Sequence, residues 1–316
     1  MLLTALTALT ALTAAIALQV APSPRDIVLP SEPGPLAGTL IDAGPGAPAA
    51  LIIAGSGPTD RDGNSALGVV ASTYRLLAEG LAAEGVTTLR YDKRGVSGSA
   101  LAAVPEADLR FDTFVADARA FAARLRVETG QPCVWLIGHS EGALIAQSVA
   151  VEDNGICGLV LVSGAGRPAV VVLREQLAIS TPEPYLSQVL AVFDALDAGH
   201  TAECPAPLAS LCRPSVQPYI MSWFDVDPAA LAAEEALPTL IVQGSTDIQT
   251  TLVDAQALHA ADLESELVIL DGVNHVLKAA PLDRAANVAT YLNPDLPLAD
   301  GVVETISGFI RRSLPQ

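Results

Sequence analysis

Gly138-His139-Ser140-Glu141-Gly142 lies between an apolar run, Cys133-Val134-Trp135-Leu136-Ile137, and a helix-like segment, residues 143–150. The run predicts a buried strand and the segment predicts a helix, so the serine lies in a tight strand-to-helix turn. Glycines two residues either side of the serine let the strand and the helix approach closely. The turn leaves the Ser140 hydroxyl exposed above a sheet and the Glu141 amide at a helix N-terminus, where it can hold an oxyanion. We therefore expect Ser140 to be a nucleophile.

Strand-like and helix-like segments alternate on both sides of this turn. Strands are predicted at residues 26–29, 36–41, 49–54, 86–91, 158–162, 239–243 and 266–270, and helices at 74–84, 111–129, 253–260 and 301–312. This alternation predicts an α/β fold with a mostly parallel central sheet and helices on both faces.

The alternation stops between Gly164 and Ala236, in a stretch that contains many prolines and two of the four cysteines. Such a stretch is too long for a simple loop. We predict that residues 164–236 form a mostly helical cap insertion between two core segments, residues 25–163 and 237–316.

The composition limits the kinds of partner that the protein is expected to bind. The chain has 316 residues, of which 51% are hydrophobic and 16% charged, with a formal net charge of −18. A chain with this much negative charge is not expected to bind nucleic acid or an anionic membrane surface. We expect a small-molecule partner.

Residues 1–22 are predicted to lie outside the fold, because no charged residue precedes Arg25. Their apolar character resembles a signal peptide, and Ala15-Ile16-Ala17 offers a cleavage site between small residues. No basic residue follows Met1, so an N-terminal anchor stays open as an alternative. We expect a periplasmic or secreted protein without stable membrane insertion once the leader is removed; a cytoplasmic location is the alternative.

The four cysteines agree with export. Cys204 and Cys212 are eight residues apart, which suits a small loop closed by a disulfide. Cys133 and Cys157 each begin a predicted strand, and neighbouring strands are close enough for a bridge. Four cysteines allow three pairings, and buried free thiols at Cys133 and Cys157 are an equal alternative. The cysteine and histidine spacing is not that of a metal site.

A base for Ser140 can be sought among four histidines. His139 adjoins the serine, so its side chain points away from the hydroxyl; His200 lies in the cap, and His259 lies within a helix. His275 follows the last predicted strand, at the edge of the sheet where active sites of this architecture form. We therefore expect His275 to be the base.

The acid that orients this base should lie between Ser140 and His275 in the chain. Asp247 follows a predicted strand in Gly244-Ser245-Thr246-Asp247, again at the carboxyl edge of the sheet. Asp254 is the rival, but it falls in a predicted helix and is expected to face solvent. We assign the acid to Asp247.

Two backbone amides should hold the oxyanion. One is Glu141, and the other should come from the glycine-rich loop Gly55-Ser56-Gly57, where the Ser56 amide is the best candidate. This loop is not a phosphate-binding loop, because no Gly-Lys-Ser/Thr follows it.

Three segments together carry a family resemblance: residues 54–64, Tyr91-Asp92-Lys93-Arg94-Gly95 and the serine turn. Over residues 25–316 the chain resembles α/β-hydrolases, in particular bacterial carboxylesterases related to dienelactone hydrolases and serine aminopeptidases. The resemblance implies Ser140, Asp247 and His275 as a catalytic triad, a cap at residues 164–236 and no cofactor. The family's usual His-Gly before the oxyanion position is Ala54-Gly55 here. Asp60, Arg61 and Asp62 are expected to form an ion pair with Arg94 or to line the entrance.

The residues predict a serine hydrolase that cleaves carboxylic esters through an acyl-enzyme intermediate. A peptidase of the aminopeptidase kind, a thioesterase, and a non-catalytic ligand-binding protein on the same scaffold are the alternatives. Tyr219, Trp223 and Phe224 fall at i, i+4 and i+5 in the cap, and we expect them to share a helical face that contacts the substrate.

Overall fold

A computed structural model describes residues 23–234 and 236–314. The residues of the predicted leader lie outside this range. Within the described residues, eight strands form one sheet: β1 (Pro24–Leu29), β2 (Leu36–Ile41), β3 (Ala49–Ile53), β4 (Thr87–Tyr91), β5 (Val134–His139), β6 (Ile156–Val162), β7 (Thr239–Gly244) and β8 (Glu266–Leu270). The helices are α1 (Thr73–Ala83), α2 (Phe111–Thr129), α3 (Glu141–Glu152), α4 (Ala169–Ser180), α5 (Tyr185–Asp197), α6 (Ala209–Cys212), α7 (Gln217–Phe224), α8 (Pro228–Glu234), α9 (Leu252–Ala261), α10 (Arg284–Ala289) and α11 (Val302–Arg312).

The strand order in the sheet is β1-β2-β4-β3-β5-β6-β7-β8. Strand β2 pairs antiparallel with both β1 and β4. The six strands β3 to β8 are parallel to one another. Because crossover helices cover both faces of a parallel sheet, its central strands carry apolar residues on both sides. The chain therefore has the α/β-hydrolase fold that the sequence predicts.

Strand β5 lies at the centre of the sheet and separates two apolar layers. Leu136 faces the layer formed with α2, α3 and α9. Trp135 and Ile137 face the layer formed with α1 and α11. All three side chains are fully buried, so the strand that carries Ser140 at its end is held on both faces.

In the described part of the chain, five helices, α4 to α8, lie between β6 and β7. We call residues 169–234 the helical insertion. It has an apolar cluster of its own, which includes Val189, Phe193, Ile220 and Phe224. Other parts of the insertion, among them Tyr219 and Ala232, pack on the core cluster beside the sheet.

Two disulfides are present, Cys133–Cys157 and Cys204–Cys212. The first joins the segments that enter β5 and β6, with Cα atoms 5.2 Å apart, and the second closes a loop in the helical insertion. Paired cysteines are typical of proteins in an oxidising compartment. Within the range described, no helix is both long and apolar enough to cross a membrane.

Candidate active site

Ser140 lies at the strand-to-helix turn between β5 and α3. Its backbone has φ 57° and ψ −123°, in a region that non-glycine residues rarely occupy. The amide of Ser140 donates to the Val162 carbonyl at 2.9 Å, and its own carbonyl accepts from Ala143 at 3.0 Å. The turn is therefore held strained by backbone hydrogen bonds on both sides, as is common where a structure presents a functional side chain.

The glycines of this turn are required by close approach. A Cβ atom at position 138 would lie 2.2 Å from the Gly142 carbonyl oxygen, and one at position 142 would lie 2.3 Å from the Ile53 carbonyl oxygen. Real Cβ contacts of this length do not occur, so any other residue would force β5, α3 and β3 apart. The two glycines thus determine how sharply the chain turns at Ser140.

His275 and Asp247 lie on the loops that follow β8 and β7. The Nδ1–H of His275 donates to Asp247 Oδ2 at 2.8 Å, and both residues are buried. Backbone amides of Gln249 and Thr250 donate to the other oxygen, Oδ1, at 2.8 and 3.1 Å. The hydrogen bond from Nδ1 of His275 to Asp247 fixes the tautomer of His275, because it keeps the proton on Nδ1 and leaves Nε2 free to accept one.

The ionisation of Asp247 suits this arrangement. Burial alone would raise the pKa of its carboxyl, but the charge of His275 and the hydrogen bonds from His275 and the Gln249 amide outweigh it, so the pKa is lowered. The carboxylate therefore stays charged and can stabilise an imidazolium that forms on His275.

The Ser56 and Glu141 amides flank Ser140. The loop that carries Ser56 approaches Ser140 closely, since a Cβ at position 55 would lie 3.0 Å from the Ser140 Cβ. Glu141 is the first residue of α3, where a helix has no internal partner for its N–H. Within the described residues neither amide donates to a protein acceptor, so both can serve a ligand.

His139 is buried and neutral. Burial, with Coulomb repulsion from His275, lowers the pKa of His139 to about 3. Its Nε2–H donates to the His275 carbonyl at 2.7 Å, and its Nδ1 accepts from the Tyr74 hydroxyl at 2.9 Å. Tyr74 in turn accepts from the Gly55 amide at 2.9 Å. A continuous chain of hydrogen bonds thus connects the loop before Ser56 to the backbone of His275.

Two cavities meet at Ser140. The larger, of about 160 Å³, is lined by His275 and by residues of mixed polarity that include Thr59, Ser65, Val69 and Tyr291. The smaller, of about 50 Å³, is lined by Glu141 and by side chains of α3 and of the helical insertion, which include apolar Leu144, Val172 and Trp223 and polar Gln176. A substrate bound at Ser140 could therefore extend in two directions.

The three aromatic residues predicted to share a helical face have partly different neighbours. Trp223 lines the smaller cavity, and the ring of Tyr219 lies beside it, with centroids 6.1 Å apart. Tyr219 also packs edge-on against Phe114 of α2, whereas Phe224 packs edge-on against Phe193 inside the helical insertion. Tyr219 and Phe224 are not among the described residues that line the two cavities at Ser140. A joint contact of the three with substrate stays a prediction.

Asp254 does not face solvent, contrary to the expectation from its helical position. It is fully buried: one carboxylate oxygen accepts from the Thr251 amide at the start of α9, and the carboxylate pairs with Arg167 at 3.0 Å. The reason is that the segment between β6 and α4, which carries Arg167, covers the start of α9. Asp254 caps a helix and ties this segment to α9, while His275 bonds Asp247.

The expected ion pair between residues 60–62 and Arg94 is also wrong. Arg61 donates to Asp92, which is fully buried, with Nη2 and Oδ2 2.7 Å apart. Asp62 accepts from Arg90 at 3.0 Å. Arg94 pairs instead with Asp117 of α2 at 2.6 Å.

Two residues that the sequence reasoning overlooked lie beside the site, Tyr74 and Lys93. Lys93 Nζ is 2.9 Å from both the Gly55 carbonyl and Glu141 Oε2. Lys93 is one of two lysines in the chain. Its position in the segment Tyr91-Asp92-Lys93-Arg94-Gly95, which carries the family resemblance, is the signal that could have revealed it. Across the described ranges, no group of three or more His, Cys, Asp or Glu side chains is placed to hold a metal ion.

Comparison with known proteins supports the fold. A family model for serine aminopeptidases of family S33 matches residues 67–196. The chain is 26% identical over 259 residues to Esterase EstD of Thermotoga maritima, covering 80% of this chain and 58% of EstD. The chain thus spans little more than half the length of that curated relative.

Solved structures match over nearly the whole chain. The Pyrococcus furiosus esterase Pf2001 superposes with a TM-score of 0.58 at 18% identity, covering 92% of this chain and 93% of that one. Est1E from Butyrivibrio proteoclasticus superposes with a TM-score of 0.57 at 16% identity, covering 91% and 98%. At these identities the likeness concerns the fold.

Proposed function

We propose that this chain, a member of the α/β-hydrolase superfamily, is a serine carboxylesterase that acts on small-molecule esters. The observation that carries the proposal is the 2.8 Å hydrogen bond between Asp247 and His275, which lines a cavity together with Ser140. A strained serine at the end of β5, together with a histidine Nε2 and two amides that have no partner among the described residues, supplies the parts that acyl transfer requires.

The reaction follows from the placement of these groups. Ser140 Oγ attacks the ester carbonyl carbon while His275 Nε2 takes its proton, and the carbonyl oxygen becomes an oxyanion at the Ser56 and Glu141 amides. The oxyanion collapses, the C–O bond to the alcohol breaks, and His275 gives its proton to the departing alcohol. Water, deprotonated by His275, then hydrolyses the acyl-serine and restores the enzyme.

The position of His275 indicates which group of the ester each cavity would hold. Because His275 must protonate the departing alcohol, the alcohol group should lie in the larger cavity, which His275 lines. The acyl group then extends into the smaller cavity beside Glu141 and Trp223. We therefore expect short acyl chains and larger, partly polar alcohol groups. In this proposal the helical insertion serves as the cap, since α4 and α7 form the wall of the acyl cavity.

The charges at the site favour an ester over an aminoacyl substrate. An aminopeptidase must hold a free ammonium group, which calls for an unpaired carboxylate near the nucleophile. Among the described residues that line the two cavities at Ser140, Glu141 is the one carboxylate. It is already paired with Lys93 at 2.9 Å, so an ammonium group would find no counter-charge.

A substrate panel tests this function. We expect the purified protein to hydrolyse p-nitrophenyl acetate and butyrate, to cleave aminoacyl p-nitroanilides at least about 100-fold more slowly in kcat/KM, and to react once with a fluorophosphonate probe. A higher kcat/KM for the anilides would make the protein a peptidase. No turnover and no labelling would favour the ligand-binding alternative.

Replacing Trp223 with alanine should change the preference for acyl length. The indole forms part of the wall of a cavity of about 50 Å³, so its removal makes room for longer chains. We expect kcat/KM to rise about 10-fold for p-nitrophenyl octanoate and to change less than about threefold for the acetate, since each accommodated methylene is worth about 1 kcal/mol or more.

Phe224→Leu is the matched control, because Phe224 packs inside the helical insertion against Phe193. It should lower the melting temperature without altering the ratio between the octanoate and the acetate. An equal change for all esters in Trp223→Ala, with a large loss of stability, would show that Trp223 serves packing alone.

The compartment forms part of the same proposal. Two disulfides favour folding in an oxidising environment, and we propose that the protein is exported.

A further inference from the structure

Lys93 joins the two segments that carry the candidate oxyanion donors. Its ammonium group lies 2.9 Å from Glu141 Oε2 and 2.9 Å from the Gly55 carbonyl oxygen. It also lies 4.4 Å from the centroid of the Phe114 ring, a favourable position for a cation. Both charged side chains of the pair are buried, with 5% and 0% of their surfaces exposed.

The contact with Gly55 bears on the Ser56 amide. The Gly55 carbonyl and the Ser56 N–H belong to one peptide unit, and in a trans peptide they point in opposite directions. A cation that donates to the carbonyl oxygen fixes the plane of this unit and polarises it, which makes the N–H on the other side a stronger donor.

The contact with Glu141 bears on the other donor. Glu141 supplies an amide next to Ser140, yet its side chain carries a negative charge beside the place where an oxyanion would form. Within the described residues, Glu141 Oε1 has no hydrogen-bond partner, so Lys93 is the group that compensates this carboxylate. Without Lys93, an unpaired negative charge would oppose the charge that develops on the substrate.

From these contacts we propose that Lys93 is a positioning residue of the oxyanion hole: it orients and polarises the Gly55–Ser56 peptide and neutralises Glu141. This inference rests on the proposed esterase function. It gives a role to the lysine of Tyr91-Asp92-Lys93-Arg94-Gly95, whose neighbours Asp92 and Arg94 form ion pairs away from Ser140.

The test compares Lys93→Met, Glu141→Gln and the double variant with the wild-type protein. The readouts are kcat and KM for p-nitrophenyl butyrate and the inhibition constant of an aliphatic trifluoromethyl ketone. The ketone adds the Ser140 oxygen and places a negatively charged oxygen where the oxyanion forms. A loss of oxyanion stabilisation lowers kcat and ketone affinity together and leaves KM nearly unchanged.

Lys93→Met should lower kcat about 10- to 100-fold, less than the 10²- to 10³-fold loss typical of removing a donor outright. The inhibition constant of the ketone should rise by a similar factor, and KM should change less than about threefold. The double variant should recover part of this loss, because it removes the uncompensated carboxylate. Glu141→Gln alone removes the opposing negative charge while the Lys93 cation remains, so it should bind the ketone more tightly than wild type.

Arg94→Met is the matched control, since it breaks another buried ion pair of the same motif, Arg94–Asp117. It should lower the melting temperature and leave the ketone affinity unchanged. Kinetic constants of Lys93→Met within threefold of wild type would overturn the proposal, as would a double variant that is worse than the single one. If Lys93→Met does not fold, a more than 10-fold loss of ketone affinity in Glu141→Gln overturns it. Failure of the wild-type protein to hydrolyse esters or bind the ketone would instead refute the esterase function.

Discussion

Ser140→Ala should lower kcat for p-nitrophenyl butyrate by about 10⁵- to 10⁶-fold and abolish labelling by a fluorophosphonate probe. Removing the nucleophile of such a site leaves only the catalysis that binding and the oxyanion hole provide. The backbone at Ser140, with φ 57° and ψ −123°, is held by hydrogen bonds of its own amide and carbonyl, so alanine should keep the turn. The melting temperature should therefore change by only a few degrees.

Ser148→Ala is the control for this substitution. Ser148 lies two turns further along α3, and its hydroxyl donates to the Leu144 carbonyl within the helix. We expect wild-type labelling and kcat from this variant. Persistent labelling of Ser140→Ala would move the nucleophile to another residue and refute the mechanism.

Asp247→Asn should lower kcat by about 10³- to 10⁴-fold with a smaller change in KM. An amide at this position can hold the imidazole through its oxygen, but it supplies no charge to stabilise the imidazolium and can turn its NH₂ towards His275, which favours the wrong tautomer. The substitution alters the 2.8 Å hydrogen bond between His275 Nδ1 and Asp247 Oδ2. The measurement is kcat and KM across pH 6 to 9.

Asp254→Asn provides the contrast, because Asp254 is also a buried aspartate on the segment after β7. It caps α9 and pairs with Arg167. We expect this variant to lose about 3 kcal/mol of unfolding free energy and to keep kcat within about threefold of wild type. If Asp254→Asn lost kcat while Asp247→Asn retained it, the acid would be Asp254.

The sequence by itself determined the sheet and the positions of its functional loops. Apolar runs of strand length, glycine at the turns and amphipathic helices are local patterns, and each records which faces of its own segment are buried. The segment Phe111–Thr129 is therefore a helix and Glu266–Leu270 a strand, as predicted. Chain order then placed Asp247 and His275 after adjacent parallel strands, where the structure brings them within hydrogen-bond distance. Their roles in catalysis stay predictions.

Only the tertiary structure decided which charged and aromatic side chains meet. Lys93 reaches Gly55 and Glu141 across 38 and 48 residues of sequence, and Asp254 meets Arg167 across 87. No periodicity records such contacts, because they depend on which elements pack beside each other and on how the helical insertion covers α9. The same holds for α7, where Tyr219 and Trp223 stay neighbours with ring centroids 6.1 Å apart but Phe224 packs against Phe193 of α5. Local patterns specify burial, whereas the identity of the buried partner is set by the assembled fold.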